Sequence, residues 1–288
     1  MTRPPRRDAA APLVELFASF QGEGLYAGAP QLFLRFARCN RRCAFCDTPE
    51  SLGTPAAYRV ETVPFGGSFR SLPNPCPLDA CEAHLRRLAA RSPVPFHALA
   101  LTGGEPLLHA GYLAALLPRV RRLFPRVYLD TNATLPRALS EIAGWVDIVS
   151  LGVKLPSCTG ARGAWADEAA ACLRVAGGRS EAGRSRGTPA RAGSAPPKRS
   201  WDFPARRRDV FVKVVLTRES TAAEVARVAG LVAAVRPGTT LILQPVTPVP
   251  GGPRPPGGDR VRRLLAVAAA RLADVRVLPQ LHPLLGWK

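Results

Sequence analysis

Apolar residues run along this chain in short blocks of two kinds. Residues 31–37, QLFLRFA, form a near-continuous apolar run, the pattern of a strand buried on both faces. The blocks 96–106 (FHALALTGGEP), 126–132 (RVYLDTN), 146–155 (VDIVSLGVKL), 209–216 (DVFVKVVL), 240–246 (TLILQPV) and 274–280 (DVRVLPQ) predict further strands. Between them, residues 80–91, 110–123, 167–175, 221–235 and 259–273 place apolar side chains at helical spacing. Strands alternating with helices predict an α/β protein. Its parallel sheet would be open or curled toward a barrel, with helices outside. In such sheets ligands sit at the C-terminal strand ends.

Four segments break the pattern. Residues 1–12 are a basic lead, expected to be disordered. Residues 49–79 are rich in Pro, Gly and Ser and read as a long loop or small insertion. Residues 177–208 carry nine basic and two acidic residues with almost no apolar periodicity. They read as a flexible insertion between strands, with a phosphate-binding tail as the functional alternative. Residues 249–258, VPGGPRPPGG, read as a stiff loop. Residues 13–288 are otherwise expected to form one domain, and no repeat of fixed period is found.

Composition narrows the class. No run of about 18 apolar residues occurs, so no membrane span is expected. The N-terminus lacks the long apolar core and small-residue cleavage site of a signal peptide. Seven cysteines, three of them crowded, suit a metal site in a reducing cytoplasm better than a disulfide framework. The formal charge of +19 invites a nucleic-acid reading. Of the 40 basic residues, however, only Lys154, Lys198, Lys213 and Lys288 are lysines, and arginine, alanine and proline are high together. That is a compositional bias spread over many surfaces, and no dedicated nucleic-acid site is expected. Such a surface also attracts an anionic small substrate.

The candidate chemistry begins in RFARCNRRCAFCDTPE, residues 35–50. Cys39, Cys43 and Cys46 are spaced C-x3-C-x2-C directly after a strand. A structural zinc site wants four ligands, and nothing nearby supplies the fourth. An iron–sulfur cluster on three thiolates fits the count and leaves one iron open. Cys76, Cys81, Cys158 and Cys172 lack tight spacing and read as ordinary buried or surface thiols. A second motif, LTGGEP at 101–106, places Gly103 and Gly104 at a strand end, where a backbone can approach a ligand.

The cysteine motif with GGEP about 60 residues on resembles the radical S-adenosylmethionine superfamily. There the open iron binds the amino and carboxylate groups of S-adenosylmethionine, which the reduced cluster cleaves to a 5′-deoxyadenosyl radical. The flanks are more specific. FASFQGEGLYAGAPQLFLRFARCNRRCAFCDT (17–48) is similar to 7-carboxy-7-deazaguanine synthases, through QGEG upstream and CDT closing the cluster loop. LDTNATLP (129–136), SLGVKLPS (150–157), LQPVTP (243–248) and VLPQLHPLLGW (277–287) match more loosely, in the same order.

The resemblance implies a radical-SAM partial (β/α) barrel. It implies a lyase that contracts 6-carboxy-5,6,7,8-tetrahydropterin to 7-carboxy-7-deazaguanine with loss of ammonia, toward queuosine and related 7-deazapurines. The implied cofactors are a [4Fe–4S] cluster, S-adenosylmethionine and Mg²⁺. The implied partners are the pterin, an electron donor such as flavodoxin, and a second copy in a homodimer. By matched position, Cys39, Cys43 and Cys46 would hold the cluster and Thr48 the Mg²⁺. Phe45, Cys46, Asp47, Gly104, Ser150 and Lys154 would lie by the cofactor. Phe20, Gln21, Gly22, Glu23, Arg35 and Thr102 would face the pterin, with Gln244 and His282 as further candidates. Gln and Glu can pair with the edge of a guanine-like ring, Arg suits a carboxylate, and Mg²⁺ wants oxygen. Two positions depart from the family: Gly152 where Asp is frequent, and Asp130 where Glu is usual. Both bear on contacts to the cofactor's ribose.

Two rival readings share the cysteine motif. An activase-type radical enzyme would take hydrogen from a partner protein and leave the carboxypterin untouched. A non-catalytic nucleic-acid-binding iron–sulfur protein would show salt-sensitive binding and no cofactor cleavage; the intact GGEP argues against it.

Overall fold

The computed structural model of the chain describes residues 9–160, 163–178, 208–249 and 251–287. Its frame is a ten-stranded sheet. β3 (Pro30–Phe36), β7 (Ala98–Gly103), β8 (Val127–Thr131), β9 (Ile148–Val153), β10 (Asp209–Leu216), β11 (Thr240–Pro245) and β12 (Val275–Val277) lie side by side in that order, all parallel. β2 (Leu13–Phe20) runs antiparallel against β3, and the hairpin of β4 (Ala57–Glu61) and β5 (Phe69–Pro73) extends the sheet beyond β2. A separate short ladder pairs β1 (Ala10–Ala11) with β6 (Cys76–Pro77).

The central parallel strands are mostly apolar because both faces are covered. In β9 all six residues are buried. One face packs against α1 (Leu78–Arg91), α2 (Ala110–Val120), α3 (Pro136–Ile142), α5 (Trp165–Gly177), α6 (Ala222–Val235) and α7 (Gly258–Ala269), after the one-turn α4 (Pro156–Thr159). Leu85, Leu116, Leu139, Leu173, Val228 and Leu264 supply apolar contacts from those helices to the main core. Thr221 and Glu224 cap α6 reciprocally, and the other oxygen of Glu224 accepts from Ser157 N at 2.7 Å.

The other face curls on itself. Phe17, Phe33, Ala98, Ala100, Tyr128, Ile148, Phe211 and Ile242, from seven different strands, close into one smaller apolar cluster. This is the floor of a partial barrel. The segment after β2 is pinned to it: Gly24, at φ +69°, sits where a Cβ would lie 2.7 Å from the Phe211 ring. Tyr26 donates to Asp209 Oδ2 at 2.5 Å.

Several expectations are corrected. Residues 9–12 of the lead are placed: Ala11 is buried, β1 pairs with β6, and Ala9 O accepts from Leu78 N at 2.9 Å; residues 1–8 lie outside the described residues. Of the two forms expected for residues 49–79, a long loop or a small insertion, the long loop is excluded. These residues hold a 3₁₀ turn (Pro49–Leu52) and the β4–β5 hairpin, in which Tyr58 and Val60 are buried while Ala57 and Arg59 face out. That period of two was hidden among Pro and Gly. β2 and α3 were not anticipated. The last strand covers only Val275–Val277, and residues 278–287 continue as an irregular strap. Most of the expected insertion at 177–208 lies outside the described residues. Cys76, Cys81, Cys158 and Cys172 are buried free thiols. Among the described residues no helix is long and apolar enough to cross a membrane.

Candidate active site

β3 ends at Phe36 and the chain turns at once into the cysteine loop. Arg38 adopts φ +74°, uncommon for a non-glycine residue, and its backbone is held on both sides. Its N–H donates to Gly53 O at 3.1 Å, and its carbonyl accepts from Glu105 N at 2.9 Å. The GGEP glycines explain this contact. A Cβ on Gly103 would lie 2.2 Å from Phe36 O, and one on Gly104 would lie 2.1 Å from Arg38 O. The backbone that needs this room is the base of the cysteine loop itself.

Glu105 is fully buried and bonds three donors: Leu107 N at 3.0 Å, Thr131 Oγ1 at 2.8 Å and Asn132 N at 2.7 Å. Burial outweighs these bonds and pushes its carboxyl up to about 7. Asn132 in turn donates to Asn40 Oδ1 at 2.7 Å, and its Nδ2 lies 3.8 Å from Cys39 Sγ. The two motifs are thus one connected unit.

The three thiols are half-buried on one loop. Burial pushes the Cys43 thiol up, Lys154 draws it down, and Cys39 and Cys46 push it up again. Three crowded thiolates want a positive partner, which an iron–sulfur cluster supplies. Among the described residues no three His, Cys, Asp or Glu side chains converge as a single metal ion requires. A cluster binds each thiolate at a different iron and makes no such demand. The Lys154 ammonium lies 5.5 Å from the Phe45 ring centroid, against the loop.

A cavity of about 440 Å³ opens over the barrel floor beside this loop. Cys39, Cys43, Phe45, Cys46, Asp47 and Thr48 line it from the loop, Gly104 from the end of β7, and Lys154 from the end of β9. Phe20 at the end of β2 lines it with Gln21, Gly22 and Glu23 of the segment that follows, and with Arg35, Thr102, Gln244 and His282. Ser150 does not reach it. That residue is fully buried beneath, beside the Tyr128 hydroxyl.

The wall residues are firmly held. Arg35 and Thr102 are register partners on β3 and β7. Arg35 Nε donates to buried Glu15 at 3.1 Å, whose other oxygen accepts from Arg59 at 2.8 Å. Gln21 spends its amide on protein: Nε2 donates to Gln31 at 3.0 Å and Oε1 accepts from Glu23 N at 3.2 Å. Gly22 makes room for His282, since a Cβ would lie 2.1 Å from His282 Nδ1. Phe20 packs between Phe65 and Trp287, with centroids at 5.4 and 4.7 Å. Thr48 accepts at its carbonyl from Ser51 N at 2.9 Å and Ser51 Oγ at 2.6 Å.

Glu23 is the most engaged group in the cavity. One oxygen is paired with Lys213, and the other accepts from Gln244 at 3.0 Å and from Gln280. Burial opposes its charge, but Lys213 and the two amides hold its carboxyl at about 2. Gln280 also donates to Asp47 at 3.1 Å, joining the strap to the cluster loop. Lys213 pairs in register with Gly152, where a side chain would crowd Lys154 Nζ at 3.2 Å, and sits 3.8 Å from Asp130.

Glu15, Lys213 and Gln280 were missed from the sequence. Glu15 and Lys213 carry a legible signal: Glu15 is the lone charge in LVELFASF, and Lys213 is the one charge inside DVFVKVVL, whose other charge, Asp209, stands at the strand's first position. Gln280 has no local signal.

Known proteins place the chain. Residues 34–162 match the Radical SAM superfamily. A 7-carboxy-7-deazaguanine synthase of Geobacter sulfurreducens is 33% identical over 279 residues, 96% of this chain and 97% of that protein. One from Methanopyrus kandleri is 42% identical over 145 residues, 50% of this chain and 56% of that one. Among solved structures, QueE from Escherichia coli aligns over 95% of both chains with a TM-score of 0.51 at 16% identity, a likeness of fold. Identity sustained from end to end, on a barrel whose cysteine loop and QGEG segment meet in one cavity, makes this chain a member of the 7-carboxy-7-deazaguanine synthase family of radical S-adenosylmethionine enzymes.

Proposed function

We propose that this enzyme converts 6-carboxy-5,6,7,8-tetrahydropterin to 7-carboxy-7-deazaguanine with loss of ammonia, on the route to 7-deazapurines such as queuosine. One observation carries the reading. A single cavity is lined by three thiols, by a charged, half-buried carboxylate (Glu23) and by a braced guanidinium (Arg35).

Cys39, Cys43 and Cys46 would hold the [4Fe–4S] cluster, and Phe45, Asp47, Gly104 and Lys154 would flank S-adenosylmethionine, with Ser150 buried in β9 beneath the cavity. Bound together, cluster and cofactor supply a hydrogen-abstracting radical. The chain's own residues bind and orient. Glu23 offers acceptors to the amino–imino edge of the pterin. Arg35, with Nε spent on Glu15, keeps its terminal nitrogens for the substrate carboxylate. Phe20, Gln21 and Gly22 shape the wall, and Thr102, Gln244 and His282 complete it. The Thr48 hydroxyl would help hold a Mg²⁺, which would supply positive charge toward the substrate carboxylate. The reading carries with it a one-electron donor such as flavodoxin, a homodimer and a cytoplasmic setting.

Magnesium and carboxylate roles separate kinetically. In Thr48→Ala the cluster should load and product formation should need more Mg²⁺ or lose its Mg²⁺ dependence. In Arg35→Ala the pterin KM should rise at least about tenfold, roughly 1.4 kcal/mol. Mg²⁺ titrations of product rate check the first, and identical curves for wild type and Thr48→Ala would remove Thr48 from the metal site.

A further inference from the structure

Lys213 stands out because none of the roles above uses it. It is a cation on the inner face of β10, buried inside the barrel, and its ammonium meets Glu23 Oε2. A buried charge of this kind is costly unless something requires it. Its only other carboxylate neighbour among the described residues is Asp130 Oδ2, at 3.8 Å. The second oxygen of Glu23 accepts from Gln244 and Gln280. Gln280 is shared with Asp47, so it can release Glu23 without losing every partner. Gln244 is 1% exposed, and its Oε1 has no hydrogen-bond partner among the described residues. Donors therefore fix the Glu23 carboxylate from beneath, and an unsatisfied acceptor lies beside it.

We propose that Lys213 is a specificity-determining residue: by pairing with one Glu23 oxygen it fixes that carboxylate as a two-oxygen acceptor. Together with the idle Gln244 carbonyl, the site then selects a heterocycle with an exocyclic amino group next to a ring N–H. The inference rests on the pterin-edge role given to Glu23 above. A neutral carboxyl would carry a proton of its own and oppose one ligand N–H. It would thus tolerate a ring with a carbonyl or hydrogen in place of the amino group. The ion pair prevents this. The other charged or titratable groups facing Glu23 are Tyr128 and Asp130 on β8, with Asp47 and His282 reached through the strap. These are common to wild type and variant, so they cancel in a comparison.

The test is equilibrium binding of 7-carboxy-7-deazaguanine and of its counterpart lacking the 2-amino group. It uses the cluster-loaded enzyme with S-adenosylmethionine, between pH 6 and 9. Wild type should prefer the amino compound at least about tenfold across the range. Lys213→Met should lose that preference at pH 6, while cluster absorbance and S-adenosylmethionine affinity stay as in wild type. If Lys213→Met does not load its cluster, Lys213→Gln keeps a donor to Glu23. It should show the preference at pH 9 and lose it at pH 6, which a packing defect would not do. A wild-type preference at pH 6 in whichever variant loads overturns the proposal. Glu23→Gln separates the premise. If that variant keeps full preference, Glu23 does not read the edge and both readings fall. If it loses preference while the Lys213 variants keep theirs, only the role of Lys213 falls.

Discussion

Glu105 shows how one side chain can join two motifs. Its carboxylate bonds the backbone after β8 and the turn after β7, and Asn132 carries the link on to Cys39. The folded carboxyl titrates near 7, against an ordinary 4.5. Between those values the folded chain holds a proton that the unfolded chain has lost. The stability this group contributes is therefore full below about 4.5 and declines as pH rises to about 7. Glu105→Gln cannot titrate, and either amide orientation points its N–H₂ at a backbone N–H. We expect a loss of about 1–3 kcal/mol. The Tm gap between wild type and Glu105→Gln should widen from pH 8 to pH 6. Thermal melts of the cluster-loaded proteins check this, and a constant gap would show that Glu105 does not titrate there. The sequence displayed Glu105 within GGEP but not what it bonds, because Asn132 comes 27 residues later, after an intervening helix. The same limit hid the Glu23–Lys213 pair, which spans 190 residues. The cysteine loop was legible because all three thiols fall within eight consecutive residues.

Among the elements, the central strands were the clearest. β10 was expected at 209–216 and forms at Asp209–Leu216, because a strand buried on both faces leaves a nearly continuous apolar run, here interrupted inside only by Lys213. Edge elements were not legible. β4 buries Tyr58 and Val60 and exposes Ala57 and Arg59, β5 buries no residue fully, and both sit among turn-forming residues, so any period of two is short and weak. That hairpin nonetheless reaches the site, since Arg59 braces the Glu15 that holds Arg35. The connection between α5 and β10 also matters at this scale. Arg208, just before β10, donates to Ala176 O at 2.8 Å and Val175 O at 3.2 Å, so the two ends of the connection are neighbours. A short Gly/Ser link should therefore replace residues 179–207 without moving either element. Turnover of that variant should stay within about tenfold of wild type. A larger loss with intact far-UV circular dichroism would mean that this segment takes part in the chemistry.

Across the whole molecule, a parallel sheet curls over a floor of eight apolar side chains and leaves its open mouth to polar ones. The alternation of strands and helices was enough to expect this class of fold, since few topologies satisfy it. The curl was less legible. It depends on Gly24 fitting under Phe211 and on the strap meeting the QGEG segment, where Leu281 N donates to Gly22 O at 2.8 Å. The closure brings Glu23, near the start of the chain, against Gln280, near its end, and so makes one cavity out of distant segments. That shared cavity is the basis for assigning ring contraction. The most direct measurement is an anaerobic reaction of cluster-reconstituted enzyme with dithionite, Mg²⁺, S-adenosylmethionine and 6-carboxy-5,6,7,8-tetrahydropterin, followed by mass spectrometry of the products. The account expects 7-carboxy-7-deazaguanine and ammonia in equal amounts, with more than one product molecule per S-adenosylmethionine consumed. Cofactor cleavage that leaves the carboxypterin unchanged would contradict it.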